Sequence, residues 1–331
     1  MTTAPDPVAP SRPPEEAASA TMRVIGMPGP FAAWGLSWVC QILEHAGHAP
    51  DVVPLAEAAP GFRVGFGHVA LPTPPGGRSV VFLDTPAAAV GALLPQRRDP
   101  MDVARELTQV LAPLPALLQE AGALLVRREA SPDLAATRRA IARHLMPALP
   151  PPDVAMPCEA AFDQIPPEPP LSGQVRTLTR QVLDPMFALV LGDGQHPVVW
   201  PLSCFYAGDQ PGEQAGPIVD TEGPARILYY GPYFHLPPGR WRVEIQMFFS
   251  NDVPASMFAA EMIGGGATLA RIEFRPEYGG LFQAVMPLVL DATAGQIEFR
   301  IWMLSGTISG QFGLRQVRLM KLDDESAALS A

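Results

Sequence analysis

The chain has 331 residues, of which 48% are hydrophobic and 17% are charged, and its formal net charge at pH 7 is −10. This length predicts two domains, and this hydrophobic content excludes a chain that is disordered throughout. The negative charge and the lack of a basic stripe exclude a nucleic-acid partner, because phosphate binding needs clustered cations. Lys321 is the only lysine, so lysine chemistry is excluded from the first half of the chain.

Residues 1–20 have no apolar core after a basic start, so we do not expect a signal peptide there. Residues 1–21, which are rich in Pro, Ala and Glu, and residues 326–331 are expected to form flexible tails. No apolar run approaches the ~18–20 residues that a membrane span needs. Cys40, Cys158 and Cys204 are far apart and odd in number, which fits neither a disulfide framework nor a zinc site. We therefore expect a cytoplasmic protein without a cofactor or a bound metal.

Strands and helices alternate over residues 22–146. The expected strands are Met22–Gly26, Ser79–Leu83 and Ala123–Val126. The expected helices are Phe31–His45, Ala87–Leu94, one that begins at Asp99, and one from Ser131 to Leu145. Such alternation is typical of a parallel sheet covered by helices. We predict an α/β domain here and call residues 22–146 the front domain.

Prolines dominate the next segment, residues 147–175, which contains Leu149-Pro-Pro-Pro152 and Ile165-Pro-Pro-Glu-Pro-Pro170. A segment of this composition disfavours helices and central strands, because proline lacks the backbone N–H and has a fixed φ. It is expected to be a semi-rigid linker and the boundary between the domains.

Residues 176–325, which we call the rear domain, alternate apolar and polar side chains with a period of two. The expected strands include Trp241–Met247, Arg271–Arg275, Leu281–Leu290, Gln296–Trp302 and Val317–Leu322. Gly264–Gly266 and Pro237–Gly239 are expected to be hairpin turns between strands. This pattern predicts an antiparallel β-sandwich or jelly roll.

The first strand, turn and helix lie where an α/β domain holds a phosphate, with backbone N–H groups facing the anion. The segment from Gly29 to Gly35, Leu36 and Ser37 is similar to the Gly…Gly-Lys-Ser spacing of a P-loop. It has five intervening residues instead of four, and Leu36 stands at the lysine position.

Together with Val80–Leu94 and Ala123–Leu145, this order of elements resembles a shortened sulfotransferase domain over residues 22–146. In that family, an arginine in an Arg-Asp-Pro turn and a serine eight residues later hold the 3′-phosphate of the adenylyl sulfate donor. The similarity lies in the hydrophobic pattern of the segments and not in their phosphate-binding residues.

The phosphate positions themselves are altered. Aligned on Pro86, the arginine position holds Asp84 and the serine position holds Ala92. An alternative motif starts at Arg98, but its eighth following residue is Glu106, an anion facing an anion. Because each charge-assisted hydrogen bond contributes ~1.5–3 kcal/mol, several kcal/mol of donor affinity would be missing. The resemblance therefore implies a degenerate domain.

The stretch from Ile227 to Ile245 contains Gly-Pro-Tyr, an apolar strand, Pro-Gly, an aromatic residue and an alternating strand. It resembles bacterial β-sandwich modules akin to carbohydrate-binding jelly rolls over residues 218–322. Aromatic rings suit the apolar face of a sugar, and nearby polar groups suit its hydroxyls. Trp241 has the parity of the core, whereas Trp302 has outward parity. The candidate carbohydrate-binding residues are Tyr229, Tyr230, Tyr233, Arg300 and Trp302.

The first functional hypothesis is a non-catalytic accessory protein of polysaccharide or glycoconjugate metabolism that binds a glycan or a partner protein through its β-sandwich. A second is an active sulfotransferase-like enzyme that uses a 3′-phosphoadenylyl sulfate donor through arginines such as Arg23, Arg97 or Arg98. A third is a structural subunit of a larger assembly, in which apolar surface would mark interfaces.

Overall fold

The computed structural model describes residues 21–57, 63–68, 77–97, 99–120, 122–128, 134–147, 168–194, 196–252 and 256–322. Both expected tails, apart from Thr21, and residues 148–167 of the expected linker lie outside these ranges, as does Arg98. No helix in the described ranges has the length and apolar character that crossing a membrane requires.

The front domain contains a parallel sheet, as the alternating pattern predicts. Its strands are β1 (Met22–Gly26), β2 (Asp51–Pro54), β3 (Arg63–Gly67), β4 (Arg78–Leu83) and β5 (Ala123–Arg127). Its helices are α1 (Pro30–His45), α2 (Pro86–Arg97), α3 (Pro100–Leu111), α4 (Leu114–Leu118) and α5 (Leu134–Leu145). The strands pair in the order β2-β3-β1-β4-β5, and every pairing is parallel. We call this sheet 1.

Helix α1 lies very close to sheet 1 because two glycines leave room for it. A Cβ atom on Gly26 would lie 2.5 Å from the Cβ of Ala32, and one on Gly35 would lie 2.5 Å from the ring of Phe82. The helix buries Trp34 and Trp38 on this face. Gly35 therefore has a packing role, because only a residue without a side chain leaves room for the ring of Phe82.

A helical segment that the sequence analysis did not predict follows the proline-rich stretch. It consists of α6 (Gly173–Leu178), a π-helical turn (Thr179–Leu183) and α7 (Asp184–Val190). Its buried residues Leu178, Val182, Met186 and Leu189 recur every three or four positions, and the buried Leu183 and Val190 lie next to this stripe. This helical periodicity is visible in the sequence. The segment packs against α2 and α3 of the front domain and against the first strand of the rear domain.

The rear domain is an antiparallel β-sandwich, which confirms the predicted fold class. Its strands are β6 (Val198–Pro201), β7 (Tyr206–Ala207), β8 (Val219–Asp220), β9 (Arg226–His235), β10 (Gly239–Phe249), β11 (Phe258–Gly264), β12 (Ala267–Phe274), β13 (Gly280–Leu290), β14 (Gln296–Met303) and β15 (Gln311–Leu322). Sheet 2 has the order β13-β10-β15-β6, with β8 also paired to β15. Sheet 3 has the order β12-β11-β14-β9-β7.

One of the two predicted hairpin turns is correct and the other is wrong. Strands β11 and β12 pair directly, and Gly265 and Gly266 between them have φ values of 58° and 79°, which suit glycine. Pro237–Gly239 instead connects β9 of sheet 3 to β10 of sheet 2. The proline-containing turn therefore carries the chain from one sheet to the other, where no ladder hydrogen bond has to be made.

A single hydrophobic core joins the two halves of the chain. It contains Val81 of sheet 1, Leu107 of α3, Val182 of the π-helical turn, and Phe234 and Ile245 of the sandwich. A separate cluster lies on the other face of sheet 1, under α1 and α5. The assignment of residues 22–146 and 176–325 to two domains stays a prediction, and any such domains share a continuous interior.

Candidate functional site

One row of side chains crosses all five strands of sheet 3. In the backbone register, Arg271 lies opposite Glu261, Glu261 opposite Arg300, Arg300 opposite Tyr230, and Tyr230 opposite Tyr206. Directly paired residues point to the same side of a sheet, so the five side chains share one surface. We call these five residues the cross-sheet row and the surface they share the outer face of sheet 3.

Glu298 forms a hydrogen-bonded group beside this row. The Nε and Nη2 atoms of Arg300 donate to the two carboxylate oxygens of Glu298, both at 2.8 Å. The hydroxyl of Tyr233 donates to Glu298 Oε1 at 3.1 Å. Glu298 is only 8% exposed. Burial and this neighbouring carboxylate raise the pKa of the Tyr233 hydroxyl to about 12, so Tyr233 stays a neutral donor at physiological pH.

Glu261 holds the other side of the outer face. Its Oε2 atom accepts a hydrogen bond from the indole Nε1 of Trp302 at 2.7 Å, and Arg271 bonds to Oε1. Arg271 also contacts Glu273 at 2.7 Å. Glu261 is 6% exposed, so the carboxylate depends on these partners in place of water.

Trp302 lies on the outer face, as its parity predicts. It is partly exposed, whereas each of the other four tryptophans is at most 6% exposed. Trp241 is in the core, also as its parity predicts, and its Nε1 donates to the carbonyl of Pro237 at 3.1 Å. The outer face therefore presents one indole ring that solvent and ligands can reach.

Tyr229 does not belong to this surface, and its assignment as a sugar contact is wrong. Its side chain is fully buried in the sandwich, and its hydroxyl donates to the carbonyl of Gly216 at 3.0 Å. Burial raises the pKa of this hydroxyl to about 12. Tyr229 and Tyr230 are adjacent on β9 and point to opposite faces, because side chains alternate along a strand. Strand parity alone could have excluded one of the two.

A cleft of about 570 Å³ opens beside the row. It lies between the β11–β12 turn and the start of β14, and its walls include Tyr233, Glu261, Gln296, Glu298 and Arg300. We call this opening the sheet 3 cleft. Four of the five predicted residues, Tyr230, Tyr233, Arg300 and Trp302, lie on the outer face of sheet 3.

Arg105 of α3 connects the front domain to this surface. Its guanidinium lies 5.5 Å from the centre of the Tyr206 ring and 5.6 Å from that of the Tyr233 ring. It donates to the Tyr206 hydroxyl at 2.6 Å and to the carbonyl of Pro232 at 3.0 Å. Sequence reasoning did not identify Arg105 or Tyr206, because neither lies in a motif and their contact joins residues far apart in the chain.

The five predicted positions of the degenerate phosphate site lie at or in α1, in α2 and directly after β4. Gly29 is the N-cap residue of α1, and a Cβ atom there would lie 3.6 Å from Ala92 of α2. Leu36 packs on the core under α1, and Ser37 is exposed and accepts a hydrogen bond from Gln41 at 3.2 Å. Asp84 directly follows β4 and is 3% exposed.

Asp84 lies at the switch point of sheet 1, where β1 and β4 are neighbours and their connections run to opposite sides. Arg128 is 3.5 Å from Asp84 Oδ1. Burial is the main cause that raises the pKa of Asp84, and the charge of Glu168 acts in the same direction. Thr85 donates to Glu168, which places a second carboxylate at this edge. The crevice that binds ligands in many open α/β sheets therefore holds two carboxylates and one guanidinium here.

No known protein family matches the sequence, and no curated protein is similar to it. Solved structures match part of the chain. The C-terminal CBM6 of LamC, a marine laminarinase from Zobellia galactanivorans, is 18% identical over 38% of this chain and 100% of its own, with a TM-score of 0.27.

Two further solved structures match a similar share of the chain. The CBM36-1 domain of a multidomain xylanase from the hindgut metagenome of Trinervitermes trinervoides is 13% identical over 39% of this chain and 99% of its own, with a TM-score of 0.27. TmCBM61, solved with β-1,4-galactotriose, is 11% identical over 40% of this chain and 94% of its own, also with a TM-score of 0.27. Identities and scores this low identify no ligand for this chain.

Proposed function

We propose that the outer face of sheet 3 binds carbohydrate, and that the chain is a cytoplasmic, non-catalytic accessory protein of polysaccharide or glycoconjugate metabolism. The observation that carries this proposal is the cross-sheet row. Its one end is aromatic (Tyr206 and Tyr230), its other end is charged (Arg271, Glu261 and Arg300), and both lie on one surface.

The chemistry of the row matches that of a sugar ring. The rings of Tyr206 and Tyr230 are 5.4 Å apart with an angle of 30° between their planes, so they offer a stacking surface to the C–H face of a pyranose. Carboxylate and guanidinium groups next to them supply acceptors and donors for sugar hydroxyls, and hydrogen bonds to charged groups are the stronger ones.

The energetics of the network support a role beyond stability. A nearly buried ion pair costs desolvation energy, and replacing it with apolar residues is often neutral or stabilising. Glu261 and Glu298 each bind a guanidinium. By the same argument, apolar or small polar residues in their place would leave the fold about as stable. Ligand binding gives these charges a function that folding does not require.

Trp302→Ala is expected to weaken glycan binding at least about ten-fold, because one stacked indole contributes roughly 1.4 kcal/mol or more. The measurement is titration calorimetry after a glycan-array screen that includes laminarin, xylotriose and β-1,4-galactotriose.

Tyr278→Ala is the matched control, because Tyr278 is an exposed aromatic ring beside β13 of sheet 2. It is expected to leave binding unchanged. Binding of no glycan on the array, or equal binding by the wild type and the Trp302 variant, would contradict the proposal.

We further propose that the front domain is a degenerate sulfotransferase-like domain without donor binding. The residues at the donor positions support this, because Leu36, Asp84 and Ala92 replace the lysine, arginine and serine whose side chains would bind a bisphosphate. Thermal unfolding in 3′,5′-adenosine bisphosphate is expected to show no rise in Tm. A clear rise would favour the enzyme that uses the donor through arginines such as Arg23 or Arg97.

A further inference from the structure

A second cleft, of about 530 Å³, lies where α3 of the front domain meets the rear domain. Side chains of both domains form its walls, which include His68, Arg97, Arg105, Glu106, Gln109 and Gln296. His68 follows the carboxyl end of β3, and its Nδ1 lies 2.7 Å from the carbonyl oxygen of Gly26. We call this opening the interdomain cleft.

The interdomain cleft adjoins the sheet 3 cleft. Gln296, the first residue of β14, is a wall of both clefts. Tyr233 lines the sheet 3 cleft, and its ring centre is 5.6 Å from the guanidinium of Arg105, which lines the interdomain cleft.

The two domains are fixed to each other at this point. Arg105 donates to the carbonyl of Pro232, and the backbone N–H of His235 donates to the hydroxyl of Thr108 at 3.2 Å. The walls of the two clefts therefore keep their relative position without a ligand, which lowers the cost of binding a long molecule across them.

The charges that line both clefts are paired with one another. Arg97 contacts Glu106 at 2.8 Å, and Arg105 contacts Asp102 at 2.9 Å. Arg300 contacts Glu298 at 2.8 Å. An anionic ligand would have to compete with these carboxylates, whereas a neutral ligand can bond to each pair through its hydroxyls.

We infer that the two clefts form one groove that binds a neutral oligosaccharide chain across both domains. This inference rests on the proposed function and specifies its ligand. Each cleft alone has the volume of a small-molecule site, roughly 300–1,000 Å³, so the pair accommodates several linked sugars. The front domain then contributes Gln109 and His68 to one end of the site.

The test uses titration calorimetry, because its signal does not require a reporter group in the walls of the two clefts. Xylo-, laminari- and β-1,4-galacto-oligosaccharides of two to six residues are titrated, with oligogalacturonates of the same lengths as the acidic counterpart. Affinity for a neutral series is expected to rise at least about ten-fold from two to six residues, with the acidic series weaker at every length.

Gln109→Ala removes an exposed side chain of the interdomain cleft, and Gln119→Ala, an exposed glutamine outside both clefts, is the matched control. Gln109→Ala is expected to weaken hexasaccharide binding about five-fold, as the loss of one or two hydrogen bonds would, and to leave disaccharide binding unchanged.

The outcomes separate the two proposals. Binding that does not depend on chain length or on Gln109, or a preference for the acidic series, would overturn the two-domain groove and leave glycan binding by sheet 3 intact. Binding of none of these oligosaccharides would overturn the inference together with the proposed function.

Discussion

Replacing Arg300 with methionine is expected to lower the free energy of unfolding by about 3 kcal/mol, the largest effect that we expect on the outer face of sheet 3. The guanidinium makes two 2.8 Å hydrogen bonds to Glu298, a carboxylate with little access to water. Without Arg300, that carboxylate must either stay charged with fewer donors or take up a proton.

Replacing both Arg300 and Glu298 with methionine is expected to recover most of this loss, because no unpaired charge remains. Urea unfolding, with Cm and the m-value fitted separately, measures both effects. Arg242→Met is the control for a pair on sheet 2: Arg242 lies 3.0 Å from Glu244 but is more exposed, so a loss below ~1 kcal/mol is expected.

The double variant also separates stability from function. If it folds with near wild-type stability but no longer binds glycans, the ion pair serves the ligand. An Arg300→Met variant that is no less stable than Arg242→Met would show that Glu298 has a good alternative to its guanidinium partner. The statement that this carboxylate depends on Arg300 would then be wrong.

Gly35→Ala is expected to lower the free energy of unfolding by ~1–3 kcal/mol, although alanine normally favours a helix over glycine. The new Cβ would lie 2.5 Å from ring atoms of Phe82, which is fully buried in β4 and cannot swing away. Either the helix or the strand has to move, and the aromatic contacts of Phe82 with Phe31 and Trp34 are lost in part.

A double-mutant cycle with Phe82→Leu tests the cause, because removing the ring should remove most of the penalty at Gly35. Ser37→Ala, an exposed substitution two residues further along α1, is the control and is expected to change stability by less than ~0.5 kcal/mol. Additive losses at the two positions would show that the clash is not the reason for glycine at position 35.

The periodicity of the sequence was sufficient to predict both fold classes, and it failed where an element carries a weak pattern. Strand β2 is exposed over most of its four residues, and β3 contains Gly65 and Gly67, so neither has the apolar run of a buried strand. The helices that begin at Gly173 do have a helical pattern. The prolines before them led to a predicted linker, residues 147–175, that includes the first residues of α6.

The site was harder to predict because it depends on register. Arg300 and Trp302 could be placed on one face by parity, but their neighbours come from strands that follow a different order in space. Tyr206 lies on a strand of two residues, β7, and Arg105 on a helix of the other domain, so no local signal marks either of them. Contacts between residues far apart in the sequence determine where both side chains lie.

The shared interior of the two halves has a consequence for the whole chain. Leu107 and Val182 are fully buried between sheet 1 and the sandwich. Dividing the gene within the proline-rich stretch would therefore give two fragments, each with an uncovered apolar surface. Neither fragment is expected to be stable and soluble when it is expressed alone. The intact polypeptide is instead expected to unfold in one cooperative transition. The proline-rich stretch would then separate two kinds of sheet, and not two units that fold independently.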